Sequence, residues 1–109
     1  MTMSALPAPV QRAIDAANSG ESEGFLGCFT PDGAVNDWGR VFRGRDAIRA
    51  WSDAEFIGVR VALVPTAAKT NSDATVTISA QVGGDGFNGP SHFTFALSGD
   101  LISLMSITA

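Results

Sequence analysis

The sequence predicts an α+β fold in which three helices are followed by a curved antiparallel sheet. Apolar residues recur at helical spacing through much of the first half of the chain, whereas apolar and polar residues alternate beyond Gly58. The 109 residues, of which 45% are hydrophobic and 17% charged, have the length and composition of one globular unit. We therefore expect a single domain over residues 1–109.

Each helix is predicted by its apolar positions and by the residues that end it. The first is apolar at Val10, Ile14 and Ala17 and ends at Asn18-Ser19-Gly20. The second is short and ends at a turn, Pro31-Asp32-Gly33. Its apolar face is Phe25, Leu26 and Phe29. A short strand that carries Asp37 follows, and the third helix runs roughly from Arg45 to Ile57, with apolar residues at Ile48, Trp51 and Ala54.

The alternation in the second half of the chain predicts strand pairing at the level of single residues. Even positions are apolar in residues 74–82, and bulky residues occupy odd positions in residues 91–97. A hairpin turn at Asp85-Gly86 pairs apolar with apolar positions: Val76 with Phe95, Ile78 with Phe93, and Ala80 with Ser91. A second turn at Gly99-Asp100 predicts further pairs: Leu97 with Ile102, Phe95 with Leu104, Phe93 with Ser106, and Ser91 with Thr108.

Composition excludes several classes of partner and site. Eleven acidic against seven basic residues give a net charge of −4, which argues against nucleic acid or an anionic membrane as the partner. Cys28 is the only cysteine, and no Cys/His cluster has metal-ligand spacing, so we expect no metal. Residues 1–9 lack the pattern of a signal peptide, and no apolar run reaches the roughly 20 residues of a membrane span. We expect a cytoplasmic protein.

Asp37 is the candidate functional residue. It follows Val35 by two positions, so on a strand its side chain would share a face with an apolar residue. An acid in such a place is costly unless it is paired, hydrogen-bonded or neutral, and groups retained at that cost often move protons. The alternative is a structural acid that backbone amides or an arginine hold at the strand end.

Four segments together resemble the nuclear transport factor 2-like superfamily, which includes ketosteroid isomerases, SnoaL-like polyketide cyclases and scytalone dehydratases. They are Val10–Gly20, Phe29–Asp37, Arg43–Ile48 and Ser91–Phe95. The resemblance implies a cone-shaped α+β fold, in which three N-terminal helices cover the concave face of a curved antiparallel sheet. It also implies a central apolar pocket at the open end, and a fold of this kind hosts enzymes and non-enzymes alike.

The resemblance implies a role for Asp37, but other functional residues of ketosteroid isomerases have no counterpart in this sequence. Asp37 matches the general-base aspartate of ketosteroid isomerases, which also use an oxyanion hole made of a first-helix tyrosine and a protonated late-strand aspartic acid. Those two positions are Ala13 and Ser91 here, and the chain contains no tyrosine. Because losing one such donor typically costs on the order of 10²–10³ in rate, steroid isomerisation by that route is not expected.

The predicted pocket joins the polar end of the inner sheet face to the helices. Its expected lining is Ala13, Asn36, Trp38, Trp51, Ser91, Phe93, Phe95 and Ser106. Arg40 is the candidate contact for an anionic ligand group. The alternative is that it belongs, with Arg43, Arg45 and Arg49, to a solvated face that balances Asp46 and Asp53. His92 is expected on the outer sheet face.

Two functions remain open at this point. The first is an isomerase, cyclase or dehydratase of SnoaL-like type, with Asp37 as the base and Ser91 and Asn36 as polar helpers. The second is a non-catalytic ligand-binding or dimerisation module. Neither requires a cofactor, and both expect a small hydrophobic molecule as the partner.

We also expect a homodimer through the outer sheet face, because interface cores are depleted in charge. Dimers through this face are common in the superfamily that the sequence resembles. The face would comprise Thr75, Thr77, Ser79, Gln81, His92, Thr94, Ala96, Leu101, Ser103, Met105 and Ile107.

Overall fold

The computed structural model describes residues 6–72 and 74–108 and has three helices packed on a six-stranded curved open sheet. The helices are α1 (Ala8–Ser19), α2 (Ser22–Leu26) and α3 (Arg45–Glu55), and a 3-10 turn follows at Ile57–Val59. The strands are β1 (Phe29–Asp37), β2 (Arg40–Arg43), β3 (Ala62–Ser72), β4 (Thr75–Gly83), β5 (Gly89–Ser98) and β6 (Leu101–Thr108). The order across the sheet is β2-β1-β6-β5-β4-β3.

The arrangement of the first half differs from the prediction in two ways. The strand expected between the second and third helices is present as β1, but it forms a hairpin with a further strand, β2, that was not predicted. In addition, β1 pairs with β6 in parallel, so the sheet is mixed. Phe29 begins β1 and does not belong to α2, and Pro31–Gly33 lie within that strand. This pairing brings the last residues of β1 and β6 side by side, which positions Asp37 next to Ile107.

The helices follow their apolar patterns closely. In α1 the buried face includes Val10, Ala13, Ile14 and Ala17, and the helix ends at Gly20, whose φ of 71° is the left-handed conformation that glycine tolerates. The third helix ends two residues before the predicted Ile57, because the chain tightens into the 3-10 turn there. In the described residues, no helix is long and apolar enough to cross a membrane.

The predicted register of β4 and β5 is confirmed: Val76 pairs with Phe95, Ile78 with Phe93, and Ala80 with Ser91. The two-residue turn that suggested it is wrong, since the connection spans residues 84–88. The longer loop docks on the 3-10 turn. The amide of Asp85 donates to the Val59 carbonyl at 2.8 Å, and its carboxylate pairs with Arg60.

The predicted register of β5 and β6 holds only next to the turn, where Leu97 pairs with Ile102. A bulge then shifts the pairing by one residue, so that Phe95 pairs with Met105 and Phe93 with Ile107. Ile102, Met105 and Ile107 consequently face the core and are buried. Burying a methionine and an isoleucine in place of Leu104 and Ser106 removes more apolar surface from water, which favours the bulged register.

Aromatic side chains link the helices to the sheet beneath them. Phe56 contacts Trp51 in a stacked geometry with ring centroids 4.8 Å apart, and it contacts Phe25 at 5.4 Å and Phe93 at 6.5 Å. These rings join the end of α3 to α2 and to β5. They fix the position of Trp51 relative to the sheet.

Candidate functional site

A cavity of about 290 Å³ lies at the edge of the molecule where β1, β4 and β6 end and β3 and β5 begin. The end of α3 and the loop between β4 and β5 complete its wall. Most of the lining is apolar, and five of the lining residues are aromatic: Trp38, Trp51, Phe56, Phe87 and Phe93. The polar side chains in the lining are Asp37, Glu55 and Ser91. The volume is near the lower end of the range of about 300–1,000 Å³ that is typical of small-molecule sites.

Asp37 is held at the cavity by two donors that bind the same oxygen. Its Oδ2 accepts a hydrogen bond from Trp51 Nε1 at 3.1 Å and one from the Arg40 guanidinium at 2.6 Å. The other oxygen, Oδ1, has no donor among the described residues. The side chain is 16% exposed. The carboxylate is therefore fixed in orientation and has one oxygen available to a ligand.

The turn between β1 and β2 explains how Arg40 reaches Asp37. Trp38 and Gly39 both have positive φ, at 56° and 93°, which is the geometry that tight hairpins with a right-handed twist require. Asp37 and Arg40 are therefore paired directly across the hairpin. Asn36 completes the turn, because its Oδ1 accepts a hydrogen bond from the Gly39 amide at 2.7 Å.

Arg40 also binds Glu55, at the end of α3. Its two terminal nitrogens donate to the two Glu55 oxygens at 3.0 and 2.6 Å. The Arg40 guanidinium lowers the pKa of the Glu55 carboxyl below its usual value, and the two carboxylates, Glu55 foremost, raise the pKa of Arg40. A single guanidinium thus bridges two carboxylates from different elements. This bridge ties the β1–β2 hairpin to α3 at the mouth of the cavity.

Ser91 supplies the third polar group of the lining. It is 97% buried, with only 3% of its surface exposed, and its hydroxyl has no hydrogen-bond partner among the described residues. It lies on β5, separated from β1 by β6 and two residues along from Phe93, which is level with Asp37, so the two backbones are roughly 12 Å apart at the usual strand dimensions. Because Ser91 lines the cavity and its hydroxyl can both donate and accept a hydrogen bond, it is suited to bind a polar atom of a ligand. In residues 6–72 and 74–108, no three His, Cys, Asp or Glu side chains are grouped as metal ligands.

Comparison with known proteins gives the family. The model of the SnoaL-like domain matches residues 10–105, most of the chain. The chain belongs to the SnoaL-like domain family. This assignment confirms the resemblance to the nuclear transport factor 2-like superfamily. A comparison with curated protein sequences finds no match.

Solved structures share the fold of this SnoaL-like domain at low sequence identity. A proposed polyketide cyclase from Sinorhizobium meliloti is 24% identical, with a TM-score of 0.85 over 94% of this chain and 95% of that one. A protein with a ketosteroid isomerase-like fold from Catenulispora acidiphila, in complex with trimethylamine, is 23% identical, with a TM-score of 0.81 over 96% and 87%. A computationally designed 17-OHP binder is 19% identical, with a TM-score of 0.79 over 99% and 92%. These likenesses concern the fold.

The structure of this SnoaL-like domain brings together only part of the lining expected from the sequence. Trp38, Trp51, Ser91 and Phe93 line the cavity with Asp37. Four residues expected there do not. Ala13 is buried in the core between α1 and the sheet, and Asn36 completes the hairpin turn. Phe95 borders a separate void of about 10 Å³, and Ser106 lies on the outer face beside Thr94, because of the bulge in β6.

The four neighbouring arginines do not converge on the cavity of this SnoaL-like domain. Arg40 binds two carboxylates, which leaves its guanidinium engaged where an anion contact was expected. Arg43 and Arg45 donate to the carbonyls of Asp32 and Phe29. Arg49 pairs with Glu23 at 2.6 Å. The cluster therefore ties local elements together. Arg49 forms its ion pair with Glu23, and the expected Asp53 and Asp46 contribute only more weakly to the raised pKa of Arg49.

Sequence reasoning missed Glu55, Phe56 and Ile107 in the lining. Glu55 could have been found, because it follows Trp51 by four positions and shares its face of α3. Ile107 could not, because its inward orientation depends on the bulge in β6.

Proposed function

We propose that this SnoaL-like domain binds a small apolar molecule in the cavity and that Asp37 accepts a proton from it. The observation that supports this proposal is the geometry of Asp37, whose Oδ2 is held by Trp51 and Arg40 while Oδ1 is free. A proton acceptor must be fixed in place and have an unoccupied oxygen within reach of the ligand. The apolar walls exclude water, which strengthens electrostatic interactions inside the cavity.

The proposed reaction begins on a carbon next to a carbonyl group. Asp37 Oδ1 takes a proton from that carbon, and the electron pair of the broken C–H bond moves onto the carbonyl oxygen. The Ser91 hydroxyl donates a hydrogen bond to the resulting oxyanion. Return of the proton to another carbon gives an isomerase. Attack of the carbanion on a second carbonyl, whose oxygen then takes the proton from Asp37, gives a cyclase. Loss of a hydroxyl group from the neighbouring carbon, which leaves as water with that proton, gives a dehydratase.

The second candidate function is ligand binding without catalysis. Two observations favour it. The chain has no tyrosine, and Glu55, the other carboxylate in the lining, has no proton to donate while it is paired with Arg40. Ser91 is therefore the one uncharged polar side chain of the lining that could donate a hydrogen bond to an oxyanion. The designed 17-OHP binder has the same fold, which supports binding as a function that this fold can serve.

Substitution of Asp37 by asparagine separates these functions. Cyclohex-3-enone serves as the probe. Its binding is followed by tryptophan fluorescence, since Trp38 and Trp51 both line the cavity and are the only tryptophans. Its proton exchange in D₂O is followed by NMR. General-base catalysis typically contributes 10²–10⁴-fold, so Asp37→Asn should lower exchange by about 100-fold or more and leave binding intact.

The control is Asp53→Asn, which makes the same change on α3 at an exposed position outside the lining. It should leave exchange unchanged. Binding without exchange in the unmodified protein would establish the second candidate. Unfolding of Asp37→Asn would identify a structural acid, and absence of any binding would refute both candidates.

We also propose that the chain forms a homodimer through the outer sheet face. The support is the composition of that face on β4, β5 and β6, whose outward residues include no Lys, Arg, Asp or Glu. Because of the bulge in β6, Leu104, Ser106 and Thr108 belong to this face, and Met105 and Ile107 do not.

A further inference from the structure

The charged side chains that line the cavity are both carboxylates. Asp37 and Glu55 face it, and the lining includes no Lys, Arg or His among the described residues. Arg40 bridges the two carboxylates, and 53% of its side chain is exposed. Two carboxylates and one guanidinium leave a net charge of −1 at the mouth. An anionic ligand group would be repelled there, whereas a cationic one would be attracted.

Two aromatic side chains at the same mouth are exposed to solvent. Trp38 and Phe87 are 60% and 56% exposed, and apolar surface that is grouped at one place on a protein often marks a binding site. They come from two different loops, the β1–β2 turn and the loop between β4 and β5, and both line the cavity. Rings of this kind attract an organic cation within about 6 Å of their centroids, and tryptophan does so best.

The interior of the cavity is apolar apart from one hydroxyl group. Ser91 lines the cavity with no hydrogen bond from its hydroxyl to another described residue, and apolar side chains such as Phe93 and Ile107 belong to the same lining. A ligand whose apolar body carries one polar atom would satisfy this hydroxyl. The cavity therefore has an apolar interior with one hydroxyl and a negatively charged aromatic mouth.

We propose that the ligand is an organic cation, a tertiary or quaternary amine with an apolar body. The ammonium group lies at the mouth against Trp38 and Phe87, attracted by Glu55, and the apolar body fills the interior. This inference rests on the binding part of the proposed function, and it leaves Asp37 Oδ1 free to accept a proton.

Three probes of similar size test the charge preference. They are benzyltrimethylammonium, its uncharged carbon isostere neopentylbenzene, and the anion phenylacetate, each titrated against tryptophan fluorescence. Cation–π contacts with exposed rings are worth about 0.5–1 kcal/mol each, so two such contacts should make the cation bind on the order of fivefold to tenfold more tightly than the isostere. Phenylacetate should bind most weakly.

Two variants, Glu55→Gln and Trp38→Leu, test whether the preference for a cation arises at the mouth, and neither alters Asp37. Glu55→Gln removes the excess negative charge and should lower the cation's affinity several-fold while the affinity of neopentylbenzene stays unchanged. Asp53→Asn, the same kind of change on the same helix outside the lining, should alter neither. Trp38→Leu should weaken the cation more than the isostere.

The outcomes distinguish this inference from the proposed function. Equal affinities for cation and isostere, or tighter binding of phenylacetate, would overturn the cation preference and leave the apolar pocket standing. Absence of binding by all three probes would overturn the proposed function and the inference together. An equal effect of Glu55→Gln and Asp53→Asn would show that overall charge, and not the mouth, selects the cation, and would also overturn the proposal.

Discussion

Asn18 shows how one polar side chain closes an exposed sheet edge. Its Oδ1 accepts a hydrogen bond from the Leu63 amide at 2.7 Å, and its Nδ2 donates to the Leu63 carbonyl at 2.9 Å. Because β3 is an edge strand, these backbone groups have no neighbouring strand to bind. The end of α1 is thereby attached to the start of β3, near the wall of the cavity that Val61 forms.

Replacing Asn18 by alanine should destabilise the protein by about 1–2 kcal/mol, because each lost hydrogen bond is worth roughly 1 kcal/mol. Urea denaturation measures the change in the free energy of unfolding. Ser19→Ala, an exposed neighbour on the same helix, is the matched control and should have little effect. If both variants cost the same, the edge is stabilised by packing and not by Asn18.

Single residues also mark the limit of sequence reasoning. Asn18 was recognised as part of a helix end, which it is, but its partner lies 45 residues away and depends on which strand forms the edge. Asp37 was recognised because an acid two positions after a buried valine is unusual. Its two donors, Trp51 and Arg40, depend on how α3 and the hairpin turn are placed, and alternation along one strand contains no such information.

Two of the strand pairs in the second half, β4–β5 and β5–β6, show how far a period-two pattern determines the register between strands. Both partners of the β4–β5 pair alternate strictly, so only one register matches apolar to apolar positions, and that register is the one found. In β6, Leu101-Ile102-Ser103-Leu104-Met105-Ser106-Ile107 is apolar at both odd and even positions. The pattern therefore permits two registers. The register found is the bulged one, in which Met105 and Ile107 face the core.

Phe95→Ala should destabilise the protein by roughly 3–5 kcal/mol, the usual cost of removing a buried phenylalanine. Phe95 is 2% exposed, pairs with Val76 and Met105, and lies outside the ligand cavity, so its loss tests packing alone. Calorimetry or denaturant unfolding gives the value. His92→Ala, an exposed position on the same strand, should cost less than about 1 kcal/mol. Equal costs would contradict the inward placement of Phe95.

For the whole molecule, the site is formed by the ends of elements that are distant in sequence. The ends of β1, β4, β6 and α3 meet the beginnings of β3 and β5 around one cavity. The resemblance to a superfamily predicted an open end, and the sequence supplied Asp37. The negatively charged mouth was not predicted, because it requires Arg40 and Glu55 to meet across 15 residues.

The last prediction concerns the association of two copies of the chain through the outer sheet face. Thr94 is central on that face: it is paired with Thr77 on β4 and Ser106 on β6, and its hydroxyl lies 3.0 Å from that of Thr77. In a twofold dimer through this face, each Thr94 would lie near its copy across the axis. Thr94→Glu should therefore place two like charges together and yield monomers in sedimentation experiments.

Ala50→Glu is the control, because it adds the same charge at an exposed position on α3, away from the sheet. It should leave the dimer intact. Lys69 lies on the edge strand β3, pairs with Thr77 on β4 and supplies a positive charge beside this face. With the twofold axis near β5, Lys69→Glu should weaken the dimer less than Thr94→Glu. A monomer at micromolar concentration in the unmodified protein would end the dimer proposal and leave the uncharged face unexplained by self-association.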